Sequence, residues 1–146
     1  MDNTKTLIEK AHQNKIPVYY MLFTEQEGSF RAKDQPLWQV HPYIPPLESD
    51  RIIIKYKADS FLETDLNSFL QKEEITDLIL TGLQTEYCVD TTVRSAFSHG
   101  YKVTLVRDAH STFDSEIMTA DTIIAHHNLI LTQFADIIDT KDVNFI

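Results

Sequence analysis

The sequence predicts an α/β fold in which helices cover both faces of a mostly parallel, Rossmann-like sheet. Short apolar runs alternate with stretches of helical periodicity along the whole chain. The run from Ile16 to Phe23 is apolar almost without interruption, which is typical of a strand buried on both faces. Lys55, Gly82 and Asp108 each follow an apolar run, and the carboxyl ends of parallel strands form the ligand-binding edge of such a sheet.

The first helix is expected to begin near Asn3 or Thr4, either of which can cap it. Leu7 and Ala11 belong to an apolar stripe that runs through to Asn14. The remaining elements expected, in chain order, are a strand at 16–23, a long loop at 24–50, a strand at 51–55, a helix at 65–72, a strand at 77–81, a helix at 85–99, a strand at 102–106, helices at 116–127 and 128–138, and an edge strand at 143–145. A loop as long as the first one is usually a functional lid or wall.

The composition bounds the class of protein. The 146 residues are expected to form a single domain over 1–146, and 42% hydrophobic with 24% charged residues is the balance of an ordinary globular protein. A net charge of −9 argues against a nucleic-acid partner, because the phosphates would be repelled. No apolar run approaches ~18 residues, so no membrane association is expected, and a single unpaired cysteine favours a reducing, cytoplasmic compartment.

The only cysteine, Cys88, lies in the first turn of the helix expected to begin at Thr85. A helix N-terminus carries partial positive charge and unpaired N–H groups, which favour a thiolate and can bind a developing oxyanion. The position therefore suits a nucleophile that attacks a carbonyl carbon. A second interpretation is open, since free cysteines are often small buried side chains that only fill space.

Three segments that carry chemistry converge on the carboxyl edge of the predicted sheet. They are Lys55, the turn from Gly82 to Cys88, and the segment from Asp108 to Thr112, which is expected to be a loop. This convergence favours the nucleophile interpretation of the cysteine. Trp38 and His41, in the long loop, are candidate pocket residues, although Trp38 can equally anchor the loop to the body of the domain.

Several motifs point to one known family. They are Trp38-Gln39-Val40-His41-Pro42, Lys55 with Ser60-Phe61 and Thr64-Asp65-Leu66, the segment from Gly82 to Thr92, Arg94-Ser95-Ala96-Phe97, Gly100-Tyr101-Lys102-Val103, and the segment from Asp108 to Phe113. Together they closely resemble the isochorismatase-like cysteine hydrolases, from the first helix to near the C-terminus. The resemblance implies a three-layer α/β/α fold with parallel strands in the order 3-2-1-4-5-6. It also implies a small-molecule substrate and a homo-oligomer, either a dimer or a tetramer.

The resemblance also assigns roles to individual residues. Cys88 matches the nucleophile and Lys55 the lysine of the family's Asp–Lys–Cys triad. A cis peptide between Leu83 and Gln84 would turn the Gln84 amide inward, so that it forms an oxyanion hole with the Cys88 amide. The implied reaction is hydrolysis of the C–N bond of a small amide through a thioester on the cysteine. Aromatic side chains would wall the substrate pocket, namely Phe23, Trp38, Phe61 and Tyr87.

The triad aspartate has no counterpart in this sequence. In the family it ends a first strand that precedes the first helix, whereas only Met1 and Asp2 precede the helical pattern here. That strand would lie between those at 16–23 and 77–81, which are therefore expected to lack a partner. Three arrangements are open: the two strands pair directly, a partner chain fills the gap, or the natural protein is longer. The alternative function is that of a catalytically impaired family member acting as a binding or structural protein.

No metal and no cofactor are predicted. Some relatives, the nicotinamidases, bind a metal through an Asp and two His residues in the loop after the second strand, where His41 stands alone here. His126 and His127 are neighbours on a predicted helix, where adjacent side chains do not face each other and do not readily share one ion. Packing is the simpler role for that pair.

Overall fold

A computed structural model describes residues 1–145 of the chain. Helices and strands alternate through this range as the sequence predicts, and no helix in it is long and apolar enough to cross a membrane. In chain order the elements are α1 Asp2–Gln13, β1 Tyr19–Phe23, β2 Arg51–Lys55, α2 Leu66–Lys72, β3 Asp77–Leu83, a π-helix Thr85–Val89, α3 Asp90–Ser98, β4 Lys102–Ser111, α4 Ala120–Ile130, a 3-10 helix Leu131–Gln133, β5 Asp136–Ile138 and a 3-10 helix Thr140–Asp142.

The strands form two separate parallel sheets. β1 pairs with β2, from Tyr19 opposite Arg51 to Phe23 opposite Lys55. The other sheet has the order β3-β4-β5. Within residues 1–145, β1 and β3 do not pair with each other, so the first of the three arrangements considered for these strands does not occur. Both strands keep one edge open in the described chain.

β4 is covered on both faces, as two consecutive residues demonstrate. Leu105 and Val106 are both fully buried, and successive side chains on a strand point to opposite faces. Leu105 packs in a cluster with residues of β2, α2 and α3, whereas Val106 packs in a second cluster with Leu7 of α1 and Val143. Helices therefore lie on both sides of this sheet, and the predicted α/β architecture is confirmed.

The elements before β4 agree with the sequence-based boundaries to within a few residues. Residues 24–50 contain neither a helix nor a paired strand of the two sheets, as expected of the long loop. The helix predicted at 85–99 starts as the π-helix and continues as α3. Gly100 follows it with a φ of 89°, a conformation that glycine adopts without steric cost.

The segment from Asp108 to Thr112 is not the loop that we predicted. β4 continues to Ser111, and its register with β3 shifts between Leu80 and Gly82, so that Gly82 lies opposite His110. The strand was not predicted here because the residues of this segment are mostly polar, and the prediction relied on an apolar run. The extension brings His110 directly beside the turn that precedes the cysteine.

The predictions were also wrong at the C-terminal end. The second helix, expected at 128–138, is replaced by a single 3-10 turn and by β5. Ile137 pairs with Leu105 of β4, and this burial outweighs the local helical pattern. The predicted edge strand at 143–145 is absent as well, since Val143 is buried in the second cluster instead of joining a sheet.

Candidate active site

The turn between β3 and the π-helix presents the cysteine. Gly82 has a φ of 135°, in the region that favours glycine, and the peptide bond between Leu83 and Gln84 is cis. Gln84 then has an extended backbone and precedes the first residue of the π-helix. Cys88 lies on that helix and is partly buried. A strand-to-helix turn of this kind holds the thiol at the carboxyl edge of the sheet.

The helix that carries Cys88 begins with an unusually wide turn. The carbonyl oxygen of Gln84 accepts hydrogen bonds from the amides of Tyr87 at 3.2 Å and Val89 at 3.1 Å. The second of these bonds spans five residues, the spacing of a π-helix, and π-turns occur frequently at functional sites. The residues after Gln84 therefore do not follow α-helical hydrogen bonding.

A buried polar network fixes the start of this turn. Thr85 is 0% exposed, and its hydroxyl lies 2.8 Å from Nδ1 of His110, which is also buried. His110 Nε2 lies 3.0 Å from Oδ1 of Asn128, which only accepts hydrogen bonds, so the proton is on Nε2 and Thr85 donates to Nδ1. Burial lowers the pKa of His110, and the nearby His127 acts in the same direction, so that the neutral ring is favoured.

Glu86 connects the same turn to the end of β4. Its Oε1 accepts a hydrogen bond from the Thr112 hydroxyl at 2.8 Å, whereas its Oε2 is buried and has no partner among the described residues. Two polar contacts, one through Thr85 and one through Glu86, thus attach the cysteine's helix to β4 and the residue after it.

Lys55 ends β2 and is buried, with 2% of its surface exposed. Its ammonium donates hydrogen bonds to the carbonyl oxygen of Ala58 at 2.6 Å and to Ser60 Oγ at 3.1 Å. Burial lowers the pKa of Lys55, while the charge and hydrogen bonding of the Cys88 sulfur oppose that shift, and Asp59 opposes it more weakly. Lys55 and Cys88 therefore lie near each other, although Lys55 ends β2 and Cys88 lies on the π-helix that follows β3 of the other sheet.

Ser60 and Thr92 are candidate functional residues, and the sequence analysis did not predict their contacts with Lys55 and with each other. Ser60 appears in the family motif, but nothing in the motif indicates that it binds the lysine. Thr92 lies four residues after Cys88, a spacing that places two side chains on one face of a helix and that the sequence alone displays. The hydroxyl of Thr92 lies 3.0 Å from Ser60 Oγ. The i, i+4 spacing was the available signal for this residue.

The aromatic residues that were predicted to line the pocket lie in different environments. Tyr87, next to the cysteine, is 59% exposed. Trp38 is half-buried and its indole N–H donates to Thr24 Oγ1 at 2.7 Å, which attaches the long loop to the residue after β1. For Phe61 the predicted place in the pocket wall is corrected, because the residue is buried in the core. Its ring stacks on those of His99 and Tyr101, with centroids 4.5 and 5.7 Å apart. It is committed to packing and does not wall a pocket.

An open cavity of about 990 Å³ lies at the carboxyl ends of β1 and β2. It adjoins the lysine, since two of its lining residues directly follow Lys55 in the chain. The lining is of mixed polarity and carries charges of both signs. Its members are Phe23, Thr24, Glu25, Gln26, Glu27, Ser29, Ala32, Lys33, Tyr56 and Lys57.

Within residues 1–145, no three His, Cys, Asp or Glu side chains form a group that could hold a metal ion. His41 is exposed, and its Nδ1 accepts the amide of Tyr43 at 3.2 Å. His127 Nδ1 lies 2.8 Å from the carbonyl oxygen of Ile123 one helical turn earlier, while the rings of His126 and His127 meet edge to face. These histidines therefore make local contacts within their own segments.

Two relatives are similar to this chain in amino-acid sequence. The chain is 38% identical over 141 residues to a probable inactive nicotinamidase of Arabidopsis thaliana, covering 82% of this chain and 70% of that protein. It is 31% identical over 111 residues to the streptothricin hydrolase of Streptomyces noursei, covering 76% of this chain. The chain spans only 44% of the length of that hydrolase.

A solved structure and a family model indicate the same family as these relatives. A crystal structure of an isochorismatase from Pseudomonas putida KT2440 superposes with a TM-score of 0.91 at 28% identity, covering 98% of this chain and 76% of that one. The family model of the isochorismatase domain matches residues 1–142. Because this match extends over nearly the whole chain, the chain belongs to the isochorismatase family of hydrolases.

Proposed function

We propose that this protein is a cysteine hydrolase that cleaves the C–N bond of a small amide through a thioester on Cys88. One observation carries the proposal: the ammonium of Lys55 is buried at the end of β2, and the sulfur of Cys88, on a strand-to-helix turn, is close enough to oppose the lowering of its pKa. A nearby cation stabilises a thiolate, and the thiolate is the nucleophilic form of cysteine. Membership in a family of hydrolases supports the same reaction class.

The proposed chemistry has two stages. The Cys88 thiolate attacks the amide carbon, and the resulting oxyanion accepts hydrogen bonds from the amides of Gln84 and Cys88. The C–N bond then breaks, and the leaving amine takes a proton from Lys55, whose lowered pKa makes it a stronger acid than an ordinary lysine. Water attacks the thioester, returns a proton to the neutral lysine and releases the carboxylic acid with the free cysteine.

Intact-protein mass spectrometry tests this proposal directly. The protein is incubated with a panel of small amides and, separately, with an aldehyde that traps an active-site thiolate. We expect an added mass equal to the acyl group or the aldehyde, located at Cys88 by peptide mapping and missing in Cys88→Ala. Equal labelling of the Cys88→Ala variant, or no adduct with any member of the panel, would sink the proposal.

A second function, ligand binding without turnover, is favoured by one feature of the site. Asp59 is the acid that acts on the pKa of Lys55, but its Oδ1 accepts the Phe61 amide at 2.8 Å within its own turn. The carboxylate is therefore engaged in the local backbone, and proton transfer depends on the lysine alone. The name of the Arabidopsis relative, a probable inactive nicotinamidase, supports the same alternative. Amides that raise the melting temperature while no amine is released would favour binding over hydrolysis.

A further inference from the structure

The ammonium of Lys55 is held by a small network of buried hydroxyl groups. Ser60 Oγ accepts from Lys55 Nζ at 3.1 Å and from the Thr92 hydroxyl at 3.0 Å. In return, the Ser60 amide donates to Thr92 Oγ1 at 3.2 Å. Ser60 is 3% and Thr92 7% exposed, so water does not compete freely for these bonds.

This network joins the lysine to the helix of the nucleophile. Thr92 lies on α3 one helical turn beyond Cys88, and the π-helix runs directly into α3. Two hydrogen bonds connect Thr92 with Ser60, and a longer one of 3.4 Å reaches the Ala58 carbonyl that also binds the lysine. The segment that carries the partners of Lys55 is therefore attached to the helix that carries the sulfur.

The number of N–H donors on the ammonium explains why the position of Ser60 affects the direction of the lysine's remaining hydrogen bond. A lysine ammonium has three N–H groups in tetrahedral arrangement. Two of them are used by the carbonyl oxygen of Ala58 and by Ser60 Oγ. Once two directions are fixed, the third is fixed as well, and two acidic side chains act on the pKa of the lysine, Cys88 more strongly than Asp59. Moving Ser60 would redirect the remaining N–H.

The two sheets do not provide this alignment by themselves. Lys55 ends a strand of the β1–β2 sheet, whereas Cys88 follows β3 of the other sheet. In the described chain no ladder of backbone hydrogen bonds joins β1 to β3. Contacts between side chains and loops must therefore set the distance from the ammonium to the sulfur, and the pair Ser60–Thr92 is such a contact directly beside them.

We propose that Ser60 and Thr92 are positioning residues that hold the Lys55 ammonium against the Cys88 sulfur. The inference deepens the proposed function and concerns the same site, but its readout requires no substrate. Buried hydroxyl groups are usually hydrogen-bonded for structural reasons alone. A purely structural role would lower stability when a hydroxyl is removed, but it would leave the protonation behaviour of the cysteine unchanged.

The experiment measures the rate of alkylation of Cys88 by iodoacetamide between pH 5 and 10, in the wild type and in Thr92→Val. Valine keeps the shape of threonine and removes the hydroxyl. Losing the hydrogen bond is expected to move the midpoint of the alkylation profile upward by about 0.5 to 1 pH unit, while the plateau at high pH is unchanged. The matched control is Thr91→Val, the same change at the adjacent position of α3, whose hydroxyl takes no part in the network; its profile should match the wild type.

Two further variants keep the result decisive. Thr92→Ser retains the hydroxyl and should restore the wild-type midpoint, which separates hydrogen bonding from packing. If Thr92→Val does not fold, Ser60→Ala removes the bridge from the other side together with one acceptor of the ammonium, and it should give an upward shift at least as large. A folded Thr92→Val or Ser60→Ala protein with a wild-type midpoint overturns the inference, even where amide turnover is observed. A shifted midpoint without any turnover supports the positioning role and counts against the proposed function.

Discussion

The two halves of the site are built in different ways. On one side, the turn that carries Cys88 follows β3, which is paired with the doubly covered strand β4, and Thr85 and Glu86 attach the turn to the extended end of β4. On the other side, Lys55 ends one strand of a two-stranded sheet, and its contacts come from the following loop. The turn that carries Cys88 is therefore attached to the strand next to β3, whereas the position of Lys55 relative to it depends on the packing between two sheets.

This difference shows that an intact motif and a working pair of residues are separate properties. Backbone hydrogen bonds fix the register of the strands within each sheet, but they do not act across an open edge. Catalysis requires the reacting groups to be aligned, and a misplacement of about 1 Å can cost about 10²-fold in rate. Measurements that treat the two sides separately are therefore the most informative.

The largest effect is expected from removing the cation. In Lys55→Met, which keeps most of the side-chain volume, kcat/KM for any amide that the wild type hydrolyses should fall by about 10²- to 10³-fold, because both charge stabilisation and proton delivery are lost. Lys102→Met, which replaces an exposed lysine at the start of β4, is the matched control and should keep its activity. Steady-state kinetics on both proteins decide the matter, and comparable losses in the two variants would contradict the role of Lys55.

The next largest effect concerns the open edge. Amide exchange measured by mass spectrometry should be at least about tenfold faster for β1, Tyr19–Phe23, than for the central part of β4, which corresponds to about 1.4 kcal/mol of opening free energy. β4 is paired on both sides and β1 on one. Equal protection of the two strands would indicate that another group covers the edge of β1 in solution, and would contradict an open edge.

The smallest effect is a pH dependence of stability that arises on the cysteine side. Because the pKa of His110 is below its ordinary value of 6.5 in the folded state, the unfolded chain binds more protons just below that pH. The free energy of unfolding should therefore fall as the pH is lowered from about 7 through 6.5 and below, by at most about 1.4 kcal/mol per pH unit. Asn128 and Asp108 oppose the shift and His127 adds to it, so the net slope is smaller than this limit.

Urea unfolding at several pH values, on the wild type and His110→Gln, checks this prediction. The variant should lose this part of the pH dependence, since glutamine does not titrate. His126→Gln provides the control, because His126 is exposed on α4. An unchanged slope in His110→Gln would show that other groups produce the dependence.

Much of the fold was predictable because its signals are local. Strand β2 and helix α2 follow directly from an apolar run and from helical periodicity, and both were placed to within one residue. The prediction failed at the end of β4 and after α4, and in the second place burial against a distant element overrides local preference: Ile137 joins a strand because Leu105 lies opposite. Polar residues at the end of β4 similarly concealed a strand that pairs with Gly82 and Leu83.

The sequence by itself determined that Cys88 lies on a strand-to-helix turn and that Lys55 ends a strand, because both facts depend on patterns a few residues long. Only the tertiary structure decided that Phe61 is part of the core, that Thr92 reaches Ser60, and that β1 and β3 do not pair directly. These outcomes depend on contacts between residues far apart in the chain, as in the pair Thr92–Ser60, separated by 32 positions. Local periodicity carries no information about such pairs, since they form only when the elements pack.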